Sequence, residues 1–243
     1  MAKIIDVDCS LCLKKDQGCC KTCFNEREIS VFQSLSNEEL EHLMLKKQQV
    51  IYEAGEVIVR QNTPSTYAVC IKSGLAKVSV VGLDKKKIIV KLANNLDFLT
   101  GGDLFNGNIQ PYTITAITPL DCCLVDSSKL TKLFAENNAF AIALLKHHTK
   151  QSNYLLNRLV NLTQKYMPGR VADTLIYLAD IVYKSNSFTI PLTRQELADM
   201  SNMTKESFVR ILQEFKSSQI ISTNVNSFEI LDKEALISIS KNG

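Results

Sequence analysis

At 243 residues, with 45% hydrophobic content, the chain can form one large or two modest packed domains, which excludes a largely disordered protein. A net charge of only +3 gives weak support to any argument from bulk attraction to polyanions. No apolar run approaches the ~20 residues that span a bilayer, the longest obvious one being Ala139–Leu145, so no membrane partner is expected.

The first ten residues, MAKIIDVDCS, carry aspartates and a cysteine where a signal peptide needs an apolar core, and a cytoplasmic location is expected. Residues 1–30 hold five of the eight cysteines, Cys9, Cys12, Cys19, Cys20 and Cys23, with little apolar periodicity between them. Such an arm cannot build its own core, and a reducing cytoplasm disfavours structural disulfides, so the clustering calls for a metal or redox explanation. Cys9, Cys12, Cys20 and Cys23 form a C-x2-C-x7-C-x2-C array whose four thiolates suit zinc as well as iron. Unliganded thiols that respond directly to oxidants are the third reading.

From Leu35, the string LSNEELEHL pairs a Ser36 cap with Glu39 and predicts a short helix. Residues 48–126 then contain QQVIY, EVIVR, TYAVCIK, LAKVSVV, KKIIVKLA, YTITAI and DCCLVD, with glycines at 55, 74, 82, 101, 102 and 107 between or beside them. This pattern predicts a double-sheet jelly roll of about eight strands, within a domain over residues 31–136. Adjacent strand residues face opposite ways, so only one of Cys122 and Cys123 can easily turn toward the arm. The other, like Cys70, reads as a small buried hydrophobe.

A short helix is expected over Ser127–Asn137 and a long one from Ala139 to about Gln164. Ala141, Leu145, His148, Ser152, Leu155, Leu159 and Leu162 alternate spacings of four and three, the pattern of a coiled-coil seam, so residues 137–166 read either as a dimerisation helix or as a helix packed only against its own barrel. His147 and His148 read as solvated or satisfied side chains rather than metal ligands.

Met167-Pro168-Gly169 breaks the helical pattern as a hinge, opening a domain over residues 167–243. A helix from Arg170 to Tyr183 and a strand FTIPL lead to LTRQELADMSNMTKESFVRIL. There Thr193 and Glu196 form a capping box that starts a helix over about Arg194–Met200. Thr204 caps a second helix, whose Phe208, Ile211, Leu212 and Phe215 repeat at helical spacing. Glu206 and Arg210 are four apart and project side by side, flanked by Lys205 and Val209. Arginine can bond guanine, glutamate can accept from cytosine and valine can touch a thymine methyl, so this face suits the major groove.

From Tyr166 onward there are eight Lys plus Arg against nine Asp plus Glu, so phosphate contacts must come from local placement of Arg170, Arg194, Lys205 and Lys216. Strands Ile220–Thr223 and Ser227–Leu231 form a wing, and Asp232 caps a last helix. The candidate DNA-contacting residues are therefore Arg194, Thr204, Lys205, Glu206, Val209 and Arg210.

These residues resemble the CRP/FNR superfamily of bacterial transcription regulators, from about Phe32 to Leu231. The resemblance implies an α+β chain: a cyclic-nucleotide-binding-type jelly roll, a long dimerisation helix and a winged helix-turn-helix. It also implies double-stranded DNA, a second copy of the chain and RNA polymerase as partners, with base reading by Glu206 and Arg210. The pocket departs from that of cyclic-AMP binders, because Gly101 stands at the ribose-binding glutamate and Ile109–Thr113 contains no arginine. A buried cyclic phosphate would lose its charge-assisted hydrogen bonds, so cyclic AMP is not expected.

In the oxygen-sensing branch, three N-terminal cysteines and a barrel cysteine hold a [4Fe-4S] cluster. ITPLDCCLVDSSKL is similar to the barrel segment, and the match falls on Cys123. Cys20 and Cys23 lie near the expected C-x2-C, but Ser30 stands about where the next cysteine should be, so Cys9 and Cys12 would supply the remaining ligands. The leading expectation is a homodimeric DNA-binding regulator responding to oxygen, nitric oxide or redox state. The competing one is a metal- or small-molecule-binding protein, a zinc knuckle or electron carrier, without DNA-reading function. No catalytic constellation suggests an enzyme.

Overall fold

The computed structural model describes residues 3–5, 31–44, 48–64, 66–95, 97–100, 104 and 109–243. The expectations on Cys9, Cys12, Cys19, Cys20, Cys23 and Gly101 lie outside the described residues. Two compact units are present, one from residues 1–80 and 93–153, the other from 81–92 and 154–243.

The strands of the first half are β1 (Lys3–Ile5), β2 (Gln48–Tyr52), β3 (Val57–Val59), β4 (Tyr67–Ser73), β5 (Ala76–Val81), β6 (Lys87–Ala93), β7 (Phe98–Leu99), β8 (Thr113–Ala116) and β9 (Leu120–Asp126). In the first unit one sheet has the order β1-β2-β9-β4-β7, and in the other β8 lies between β3 and β5. β1 corrects the reading of residues 1–30 as a cysteine-rich arm alone, because Lys3–Ile5 pairs antiparallel with β2. Three residues are too few to show a two-residue period, so the strand depends on the edge that β2 offers it.

Alternation along β4 and β9 divides the core. Val69, Ile71 and Cys122 join Val50, Val78, Ile114 and Leu120 between the sheets. Ala68, Cys70, Cys123 and Val125 face the other way, into a cluster with Phe32, Leu40, Leu130, Phe140 and Leu144. That second layer comes from the 3-10 turn Val31–Ser34 and the helices α1 (Asn37–Met44), α2 (Ser127–Glu136) and α3 (Asn138–Gln164). Ser36 N donates to Glu39 Oε2 at 2.8 Å and Glu39 N to Ser36 Oγ at 3.2 Å, completing the expected capping box. Asp126 caps α2, and Asn137 Oδ1 accepts from Phe140 N at 2.9 Å to start α3.

The rotation of α3 is decided by its own domain. Phe140 and Leu144 are buried, His147 Nε2 lies 3.0 Å from Phe98 O, and His148 Nε2 lies 3.4 Å from Thr100 Oγ1. Leu145, Ser152, Leu155 and Leu159 of the expected seam are exposed, whereas Ala141, His148 and Leu162 are half-buried. Ile142, Leu145, Leu155, Leu156, Leu159 and Val160 are 47–59% exposed, so Leu145, Leu155 and Leu159 of the expected seam share an open apolar face with Ile142, Leu156 and Val160.

The second unit contains α4 (Met167–Tyr177), a π-helical turn (Leu178–Tyr183), β10 (Ser187–Thr189), α5 (Arg194–Met200), α6 (Lys205–Ser217), β11 (Ile221–Asn224), β12 (Ser227–Ile230) and α7 (Lys233–Asn242). Its sheet has the order β10-β12-β11. The break after α3 falls at Lys165–Tyr166, so Pro168 and Gly169 lie inside the first turn of α4 rather than between helices. Proline fits there because the N–H it lacks would have no intrahelical acceptor. A Cβ on Gly169 would sit 2.5 Å from the Gly243 carbonyl oxygen, so close approach of α7 requires glycine. The single helix expected over Arg170–Tyr183 changes to π geometry at Leu178 and ends at Lys184, which is left-handed with φ 52°. Within this unit, Tyr177 Oη bonds both the N–H and the carbonyl of Leu92, and Tyr154 Oη donates to Val90 O.

Candidate nucleic-acid interface

The hydrogen bonds that start α5 and α6 are local. Thr193 Oγ1 accepts from Glu196 N at 3.2 Å while Glu196 Oε2 accepts from Thr193 N at 2.9 Å. Thr204 Oγ1 accepts from Ser207 N at 3.3 Å. Between the helices Asn202 adopts φ 50°, a left-handed conformation that asparagine tolerates better than most residues.

The turn is held from behind. Ser201 is fully buried; its Oγ donates to Leu197 O at 3.1 Å and lies 2.9 Å from Thr174 Oγ1. Arg170 Nη1 donates to Asn202 O at 2.9 Å, and Arg158 Nη2 donates to Met200 O. Sequence reasoning missed Arg158, Thr174 and Ser201, since partners 27 to 42 residues apart leave no local pattern.

On α6, Phe208, Ile211, Leu212 and Phe215 are all buried, which fixes the helix rotation. Lys205, Glu206 and Arg210 are thereby exposed, with Val209 half-buried among them and Thr204 exposed at the cap. Arg210 pairs not with Glu206 but with Glu214, at 3.1 Å, with the two side chains 60% and 52% exposed. An exposed i, i+4 pair contributes about 0.3–0.5 kcal/mol, so it holds Arg210 only weakly.

The other cations expected at phosphates bond inside the unit. Arg170 holds the turn, Lys216 Nζ lies 3.5 Å from Thr223 O, and Arg194 Nη2 donates to Thr223 Oγ1 at 3.1 Å and Val225 O at 3.0 Å. Burial also holds the Arg194 pKa below its ordinary value.

In the β-rich unit Cys122 lies between the sheets, where burial first, then the nearby Cys123 and Asp121, pushes its thiol up to about 12. Cys123 is 2% exposed in the cluster that includes Val31 and Phe32, and Cys70 is its cross-strand partner. Cys123 thus belongs to the same hydrophobic cluster as the turn that follows the cysteine-rich segment, and a thiol is a donor type that suits an iron-sulfur or zinc site. Among the described residues no group of three or more metal-binding side chains is present. Tyr112 Oη donates to Thr100 O at 2.6 Å and Thr113 Oγ1 accepts from Gln61 N at 3.0 Å, so both side chains of this arginine-free segment already have protein partners.

A β-sandwich of this topology, with a long helix and a winged helix-turn-helix, defines a class of DNA-binding regulators. Residues 49–137 match the model of the cyclic nucleotide-binding domain, and residues 169–239 match that of the Crp-like helix-turn-helix domain. The chain belongs to the CRP/FNR superfamily of DNA-binding transcription regulators. It is 22% identical over 210 residues to the CRP-like cAMP-activated global transcriptional regulator of Mycobacterium tuberculosis, covering 85% of this chain and 94% of that one. FixK2 from Bradyrhizobium japonicum superposes with a TM-score of 0.72 at 18% identity, covering 79% of this chain and 96% of that one. The c-di-GMP-responsive regulator CLP of Xanthomonas campestris gives 0.70 at 14% identity, covering 80% and 99%. The first and third of these names carry different nucleotides, so shared fold does not transfer a ligand.

Proposed function

We propose that the chain acts as a homodimer that reads a palindromic DNA site with α6 and responds to oxygen, nitric oxide or redox state through its cysteines. The observation that carries the DNA reading is the face on which Glu206 and Arg210 stand exposed with Val209 half-buried between them, aimed by a fully packed opposite face and two capped helix starts. In a two-fold dimer the half-sites should be spaced by about one helical turn, ~34 Å, or a multiple of it. The open apolar face of α3 is the surface that would pair, and RNA polymerase is the partner expected at promoters.

Cys9, Cys12, Cys20 and Cys23 with Cys123 are the ligand pool for a [4Fe-4S] cluster; the first four alone would form a zinc site. A bound cluster would supply an oxygen-labile redox centre. Cys123 supports the sensing role because it packs in one cluster with Val31 and Phe32, so a change at its thiol would be felt where the chain enters the domain. Cyclic AMP is not assigned, since residues 109–113 contain no cation for its phosphate. No helix among the described residues is long and apolar enough to cross a membrane, and the reading places the protein in the cytoplasm without catalytic activity.

Arg210→Ala should weaken binding to the selected site by ~1–3 kcal/mol and relax discrimination at one guanine. An equal loss on every sequence would make Arg210 a phosphate contact. Anaerobically purified protein should show a visible absorption band that Cys123→Ala removes. Colourless protein with one zinc, retained in Cys123→Ala but lost in Cys9→Ala, would replace the cluster by a knuckle.

A further inference from the structure

Arg194 is the first residue of α5, where an arginine has a free choice between solvent, a phosphate and the protein behind it. It turns inward. One nitrogen, Nη2, donates to both Thr223 Oγ1 and the Val225 carbonyl, which lie on β11 and at the tip of the wing. Its central carbon stands 4.7 Å above the Phe228 ring. Phe228 in turn stacks on Phe188 at 5.7 Å, and Phe188 on Tyr183 at 5.1 Å, so the guanidinium tops a column drawn from the π turn, β10 and β12. At the wing tip Val225 is 79% exposed and its N–H donates to the neighbouring Asn224 Oδ1. Beyond the hairpin's own bonds, Ile190 N donates to Asn226 O at 3.0 Å and Lys216 Nζ lies 3.5 Å from Thr223 O, so Arg194 supplies the bond to the Val225 carbonyl.

We infer that Arg194 is a positioning residue that clamps the wing to the start of the helix-turn-helix, rather than a phosphate contact. The planar fork is needed for this. Its flat face lies on the aromatic ring while its N–H groups donate in the guanidinium plane to the two oxygens, whereas a lysine ammonium has no plane to stack. Because the wing tip and α6 belong to one DNA-facing module, loosening the tip should lower affinity without removing a charge from the interface. The inference rests on the DNA-reading assignment made above.

Salt dependence separates the two roles. Each phosphate contact contributes about −0.9 to the slope of log affinity against log salt. With the wild-type homodimer on its selected site, Arg194→Ala and Arg194→Lys should both lose roughly tenfold in affinity at one salt concentration, the scale of a lost charge-assisted bond. Both should keep the wild-type slope. Thr223→Val, which removes one acceptor and no charge, should lose less, again at constant slope. A slope reduced by about 0.9 per subunit in Arg194→Ala and restored in Arg194→Lys would overturn the clamp.

Amide hydrogen exchange on the DNA-free protein gives a readout that needs no binding. Amides of residues 223–228 should exchange faster in both Arg194 variants, and unchanged exchange there would also overturn the inference. Faster exchange in protein that shows no sequence-specific binding would instead keep the clamp and defeat the DNA-reading assignment.

Discussion

In the β-rich unit the residues that fix the architecture are apolar on both faces of the β4–β9 pair, whereas in the helix-turn-helix unit cationic side chains reach back to backbone oxygens. Val69, Ile71 and Leu120 fill one layer and Ala68, Val125 and Leu130 the other. Around the turn and the wing, Arg158, Arg170 and Arg194 each donate to a carbonyl. From Tyr166 onward the DNA-binding end has eight Lys plus Arg against nine Asp plus Glu. Arg170 and Arg194, two of those eight, hold the module together, so the count does not measure the charge presented to DNA. Placement measures it, and Lys205 and Arg210 stand exposed on the reading helix.

The largest expected effect tests the apolar half of this contrast. Leu120→Ala, at a fully buried position between the sheets, should destabilise the β-rich unit by ~2–5 kcal/mol in denaturant melts. A loss below about 1 kcal/mol would mean that the layer collapses around the cavity and is not the tightly packed core described here.

A smaller effect follows from Cys122, whose thiol is raised from 9.0 to about 12, chiefly by burial. The folded state keeps this proton where the unfolded chain releases it. Its stabilisation is therefore fully present below pH 9 and is lost as pH rises from 9 to 12. Each pH unit in that window should remove at most about 1.4 kcal/mol, and Cys122→Ala should flatten the alkaline decline. Identical alkaline slopes for variant and wild type would show that the thiol is not held in an apolar layer.

The smallest effect tests the charged half. Glu214→Ala breaks an ion pair whose partners are both more than half exposed, so stability should change by no more than about 0.5 kcal/mol. DNA affinity should hold or rise as Arg210 is released. A stability loss above about 1 kcal/mol would place this surface pair among the architectural cations and blur the distinction drawn here.

Much of the candidate site was legible because its signals are local. The Thr193–Glu196 box, the Thr204 and Asp232 caps and the Phe208–Phe215 repeat each depend on residues within a turn or two of one another, so their types and spacing alone determine the helix starts and the buried face. Strand alternation likewise determined that Cys122 and Cys123 must part company. Which of them faces the helices, how far α3 is rotated, and that β1 joins the sheet were decided only by tertiary packing. So was the role of Arg194, whose acceptors lie 29 and 31 residues away. A side chain with five donors carries no mark in the sequence of which oxygen it will meet; that choice is made when the wing folds onto α5 and offers a carbonyl, a hydroxyl and an aromatic face together.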